Sequence, residues 1–197
     1  MADEIAGPLG LDLRIGLAPD DPLAARVARL RRASDYQLTA FLDPDPDPRL
    51  ALVYGNVRAA IDEYHAPAVL ALEIPAGNGV ASARAMASLY GRLAQDGGGV
   101  VTADVLRRGR TVASEGDDPL GGRPLRFGPT GYELAGTPSA LGPPIDGFGH
   151  TGAGGSSFGA WPALRTGFAY ATAILRPENN DGRARALLTA LHTVLAS

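Results

Sequence analysis

The sequence has no cysteine, and all 18 of its basic residues are arginine, so it has no lysine either. The first absence excludes disulfides, a thiolate nucleophile and Cys-ligated zinc or iron–sulfur sites. The second excludes Schiff-base catalysis, a phosphate-loop lysine and a Ser-x-x-Lys nucleophile anywhere in the 197 residues. No charge of one sign dominates: 18 basic residues face 21 acidic ones for a net charge of −3. The arginines are scattered, and the densest group, Arg107, Arg108 and Arg110, is a solvated cluster rather than a nucleic-acid footprint. Long apolar runs are missing as well, which predicts no transmembrane helix and no membrane partner. The first twenty residues carry Asp3, Glu4 and Asp12 without a basic or continuous apolar region, so no signal peptide is expected and the chain is placed in the cytoplasm.

What is present suits a globular domain with a core, since 45% of residues are hydrophobic and 20% charged. Gly 26 and Pro 16 favour turns and short strands over a helical bundle. Asp20, Asp21 and Pro22 followed by Leu23, Val27 and Leu30 predict a helix over residues 20 to 32. The alternating prolines from Asp43 to Pro48 make a stiff connector, because each fixes φ and extends its predecessor. Leu50, Val53, Tyr54, Val57, Ile61 and Tyr64 recur at helical spacing, interrupted at Gly55 and Asn56.

From Val80 to Gln95 the pattern is cleaner, with Met86, Leu89, Tyr90 and Leu93 on one stripe, Asn78 before it and Gly97 to Gly99 after it. A short helix is expected from Thr102 to Gly109, then strands, the clearest over residues 166 to 175. Asn180 or Asp181 caps a last helix whose apolar face is Leu187, Leu188, Leu191, Val194 and Leu195. Helices, then an antiparallel run of strands, then one closing helix give an α+β class with helices packed on a sheet.

The glycine-rich run from Gly147 to Gly159 fits several motifs, and context decides among them. A dinucleotide loop lacks the strand before and helix after it, and a phosphate loop has Gly155 in place of lysine. As Gly-x-Ser-x-Gly, residues 155 to 159 place Ser157 at a nucleophile elbow, with Asp181 and His192 following in hydrolase order. Trp161-Pro162 is no helix start, which weighs against it. Without outside comparison the run is a hairpin whose backbones approach closely. Asp43, Asp45 and Asp47 have calcium-loop spacing, but Pro48 and Tyr54 stand where glycine and glutamate are needed. His65, His150 and His192 have no metal-ligand spacing, so neither metal nor cofactor is expected.

The stretch Phe148-Gly-His-Thr-Gly-Ala-Gly-Gly-Ser156, followed by Gly167-Phe-Ala-Tyr170 and a closing helix, resembles the C-terminal signature of class C β-lactamase-related esterases and penicillin-binding-like proteins. Upstream, Gly7-Pro-Leu-Gly-Leu-Asp12 and Arg14-Ile-Gly-Leu17 are similar to the loop after that family's second motif, and residues 75 to 94 to its later helix. The resemblance implies a β-lactamase/transpeptidase-like fold, an antiparallel sheet flanked by helices and incomplete on its N-terminal side. It implies one partial domain over residues 1–197, with 1–75 as helix and loop after the second motif and 76–197 as helix, strands and closing helix.

Active members of the family combine a Ser-x-x-Lys, a Tyr-containing second motif and a Lys/His-Thr-Gly strand. By resemblance His150-Thr151-Gly152 is the third, with His150 polar or cationic at the acyl site, Thr151 orienting substrate and the Ala153 N–H an oxyanion donor. Tyr54-Gly-Asn56 fits a Tyr-x-Asn pattern but follows the Pro-Leu-Gly segment that should come after it, and Trp161-Pro162 stands where relatives carry Asp-Pro. The expected function is the C-terminal portion of a serine hydrolase for esters or β-lactams, inactive alone. The alternatives are a Ser157 hydrolase and a non-catalytic binding module. An unpaired sheet edge would invite self-association.

Overall fold

The computed structural model describes residues 1–36, 47–49, 52, 65–118, 124–136, 139–177 and 182–197. The interrupted helical pattern from Leu50, including Tyr54 and Asn56, and most of the proline connector lie outside them.

The N-terminal part is built of short pieces: a π-helical turn (Ala2–Ala6), β1 (Leu13–Arg14), a 3-10 turn (Ala24–Arg26), β2 (Arg31–Arg32), the one-turn helix α1 (Pro67–Leu70) and β3 (Val80–Ala81). The helix expected over residues 20 to 32 shrinks to that 3-10 turn. Asp21 accepts the Leu23 N–H at 2.8 Å and Arg14 Nε at 2.8 Å, which closes a local turn that competes with helix. These bonds hold its carboxyl below the ordinary value. Val27 is already extended (φ −67, ψ 119), and β2 leaves to pair in parallel with β10 (Ile174–Leu175).

Helix α2 (Ala83–Leu93) is the amphipathic helix the spacing predicts, but its cap is Ser82, whose Oγ accepts from Ala85 N at 3.1 Å. Asn78 has another task. Only 4% exposed, it accepts from Ile74 N at 3.0 Å and donates to Val69 O at 2.9 Å and Leu72 O at 2.5 Å, so its amide closes the turn before β3. Helix α3 (Ala103–Gly109) starts at the predicted cap, Thr102, which accepts from Val105 N at 3.3 Å. On its surface Asp104 pairs with both Arg107 and Arg108, which accounts for most of the basic cluster.

One antiparallel sheet follows, with every strand paired to its neighbour in the chain: β4 (Ser114–Asp117), β5 (Pro124–Phe127), β6 (Glu133–Leu134), β7 (Phe148–Thr151), β8 (Ser157–Trp161) and β9 (Thr166–Tyr170). The strand expected over residues 166 to 175 splits. Thr172 N donates to Ser156 Oγ at 3.3 Å, and Thr172 Oγ1 accepts from Ile174 N at 3.1 Å, so side chains replace ladder bonds between β9 and β10. The closing helix α4 (Arg183–Leu195) has Gly182 at its cap position without a side-chain bond. The expected caps Asn180 and Asp181 lie outside the described residues.

The sheet is covered on both faces. On one, Tyr90, Leu93 and Ala94 of α2 and its C-terminal end meet Leu134, Phe148 and Ala160, joined by Leu106. On the other, Leu188 of α4 meets Trp161, Phe168 and Leu141, and Trp161 Nε1 donates to Leu141 O at 2.7 Å. Antiparallel pairing explains the division, since Ala160 is opposite Phe148 and its neighbour Trp161 must face the other way. Among the described residues no helix is long and apolar enough to cross a membrane.

Two contacts need glycine. A Cβ on Gly167 would overlap Gly91 N and Ala87 O, because α2 lies backbone-to-backbone on β9. A Cβ on Gly149 would overlap Phe158 O, so the pair Gly149↔Gly159 keeps β7 and β8 closely laid together. Gly167→Ala is expected to lower stability by about 3 kcal/mol through displacement of α2. Asn78→Ala, which takes away the side-chain partner of the Ile74 N–H and of Leu72 O at a buried position, is expected to cost about 2 kcal/mol. Urea unfolding followed by circular dichroism measures both.

Candidate functional site

The hairpin β7–β8 carries the His-Thr-Gly motif on its first strand. Strand β7 is paired on both sides only as far as Gly149: β6 meets it at Glu133↔Gly149 and Leu134↔Phe148, whereas β8 continues alongside to Thr151↔Ser157. From His150 onward one edge of β7 is therefore open among the described residues. Gly152 N donates to Ser156 O at 2.8 Å on the β8 side. Because main-chain groups alternate in direction along a strand, Thr151 points its N–H and C=O to the open edge.

His150 is exposed and leans over that edge. Its Nδ1 lies 2.6 Å from Thr151 O, and its ring sits 6.1 Å from the Phe127 ring. A carbonyl oxygen can only accept, so Nδ1 is the donor in that bond. Thr151 is half-buried, and its hydroxyl donates to Glu133 Oε2 at 3.1 Å from the adjacent strand. Glu133 was not legible as a site residue, because only the β6–β7 register brings it beside Thr151.

Beyond Thr151 the chain turns rather than continuing as strand. Gly155 N donates to Gly152 O at 3.1 Å, which leaves Ala153 exposed at the turn, and Gly154 and Gly155 take φ of +113 and +105. The turn is pinned from behind. Arg176 N donates to Gly154 O at 3.2 Å, and Arg183 reaches Gly154 O at 3.5 Å, Thr172 Oγ1 at 3.0 Å and Ile174 O at 2.8 Å. Arg183, at the start of α4, thus ties the helix to the loop that follows the motif. It too carried no signal in sequence.

Ser157 does not stand at a strand-to-helix turn. It lies inside β8 of an antiparallel sheet, 2% exposed, with its hydroxyl donating to Ala140 O at 3.2 Å. His192 packs edge-on against Trp161 with ring centroids 6.0 Å apart. Trp161 is four residues along the strand from Ser157, or about 13 Å, so the structure does not bring Ser157 and His192 together. Asp181 lies outside the described residues.

Tyr90 and Tyr132 back the site from the α2 side, with ring centroids 6.3 Å and 5.0 Å from Phe148. Burial raises the pKa of both phenols, which keeps them protonated as packing groups. His65 bonds the Leu30 main chain, far in sequence from the other histidines. Among the described residues no three His, Asp or Glu side chains gather in a metal-binding group.

The arrangement can polarise an acyl group. What makes this possible is a strand edge whose Thr151 N–H is fixed by the sheet, next to an exposed histidine.

Comparisons with known proteins agree with this geometry. The family model described as Beta-lactamase matches residues 1–192. Esterase/beta-lactamase LipL of Mycobacterium tuberculosis is 34% identical over 185 residues, which cover 86% of this chain and 40% of that protein. A penicillin-binding protein homolog from Caulobacter crescentus superposes with a TM-score of 0.78 at 28% identity, over 98% of this chain and 51% of the other. A family VIII carboxylesterase shares the fold with a TM-score of 0.82 at 24% identity, over 98% of this chain and 50% of the other. The chain thus spans about half the length of these solved relatives, with an antiparallel sheet flanked by helices in common. On the family match over nearly its whole length, this chain belongs to the beta-lactamase family.

Proposed function

We propose that the chain is the oxyanion-side part of a β-lactamase-related serine hydrolase that cleaves ester or β-lactam bonds through an acyl-serine intermediate. The observation that carries this reading is the open edge of β7 at His150 and Thr151, next to the exposed turn at Ala153. The attacking serine would come from a Ser-x-x-Lys segment, which a sequence without lysine cannot contain. In the completed site the serine oxygen bonds the acyl carbon and the alcohol or lactam nitrogen departs with a proton. Water then cleaves the acyl-serine bond. The Ala153 N–H would donate to the oxyanion, Thr151 would orient the substrate, and His150 would supply a polar or cationic group at the acyl site.

The chain by itself is proposed to be inactive and to associate with a complementary half. Leu187 and Val194 on α4 are 57% and 72% exposed, and β9 ends the sheet with one edge unpaired among the described residues. An exposed apolar helix face and a free strand edge each favour binding of further chain, or of a second copy, over life as an isolated monomer. A hydrophobic dye should bind the purified chain. A sharp, reversible two-state melt of a monomer that binds no dye would overturn this part.

A fluorophosphonate or a fluorescent penicillin should leave the chain alone unlabelled. Co-expression with a Ser-x-x-Lys-bearing N-terminal half should produce label on that half, reduced about a hundredfold by His150→Ala. An in-frame Ser-x-x-Lys in the DNA upstream of Met1 would identify that half. Ser157→Ala should leave labelling of the completed enzyme in place, at a stability loss of about 1 kcal/mol for the lost buried bond. Label on the isolated chain that vanishes in Ser157→Ala would reverse the assignment.

A further inference from the structure

Thr151 has one hydroxyl proton, and it is directed at Glu133 Oε2, 3.1 Å away. A carboxylate can only accept, so the sense of that bond is settled: the Thr151 oxygen is left with lone pairs toward the open edge. Glu133 is held there by strand register, opposite Gly149 and one strand over from Phe127. Arg126, on the neighbouring strand β5, is engaged elsewhere, since it donates to Ala135 O at 2.6 Å and pairs with Glu115 at 3.3 Å. The Nδ1–H of His150 is spent on Thr151 O. The side chains beside Thr151 therefore present a negative charge and a hydroxyl whose proton is already taken, next to the main-chain N–H of Thr151 at the edge.

We infer that the Glu133–Thr151 pair is a specificity device: the site takes substrates that are uncharged, or that offer a hydrogen-bond donor, beside Thr151, and disfavours those bearing a carboxylate there. The inference rests on the acyl-transfer reading above and narrows its substrate class from esters or β-lactams to neutral esters and uncharged lactams. Two effects act together. A substrate carboxylate would meet like charge across a few ångströms at the protein surface, and it would find no hydroxyl proton to accept.

The test uses the chain completed by its Ser-x-x-Lys-bearing half, with a chromogenic cephalosporin, its methyl ester and 4-nitrophenyl butyrate as substrates. The unmodified enzyme should favour the methyl ester over the free acid in kcat/KM. Glu133→Gln keeps an oxygen that accepts from Thr151 and removes only the charge, so it should shrink that preference about tenfold. Glu133→Asp, which retains the charge, should keep the preference, and so should Glu115→Gln, which removes a carboxylate from a distant strand. An acid-to-ester ratio unchanged within about twofold in Glu133→Gln, while 4-nitrophenyl butyrate is still hydrolysed, overturns this inference alone. If the completed enzyme neither hydrolyses 4-nitrophenyl butyrate nor takes fluorophosphonate label, the hydrolase reading fails and the specificity reading with it.

Discussion

The backbone contact between Gly91 of α2 and Gly167 of β9 sets the distance from helix to sheet, and the rest of the core follows from it. With no side chain between them, Tyr90 and Leu93 reach down to Phe148 and Ala160, and Phe148, fully buried, anchors the start of β7. Close packing allows little adjustment, because dispersion and transfer terms both depend on contact at van der Waals distance. The site is thus held from its buried end. Two residues beyond Phe148, the strand reaches the surface as His150.

That placement gives one short strand a buried half and an exposed half. Phe148 and Gly149 have strands on both sides, and their main-chain groups belong to the sheet. His150 and Thr151 have a strand on one side only among the described residues, so the Thr151 N–H faces an edge that no described strand covers. The turn at Ala153 to Ser156 is braced by Arg176, Arg183 and Thr172, which lie on or next to the last two elements. The closing helix therefore supports the site from behind while its outer face, with Leu187 and Val194, remains apolar and exposed.

Much of the local structure was legible in the residues. The stripe of Met86, Leu89, Tyr90 and Leu93 specified α2, Thr102 specified the start of α3, and the glycine run from Gly147 specified a close hairpin. Failures occurred where a side chain competed with the backbone. Asp21 closed a turn where a helix was expected, Asn78 bonded α1 and its following turn where a cap was expected, and Thr172 with Ser156 interrupted a strand. Each of these polar groups had two plausible partners in sequence. Only the folded neighbourhood chose between them.

By itself the sequence determined what chemistry the chain lacks, since residue types absent from a chain are absent at every position: no thiol, no lysine, no Ser-x-x-Lys. It also determined the His-Thr-Gly motif and the helical and strand periods that carry it. The tertiary structure alone decided which groups meet. It separated Ser157 from His192 by setting one in β8 and the other against Trp161, and it brought Glu133 to Thr151 across 18 positions. Strand register is a long-range property, set by the packing of whole faces, and no local pattern around Glu133 encodes its neighbour.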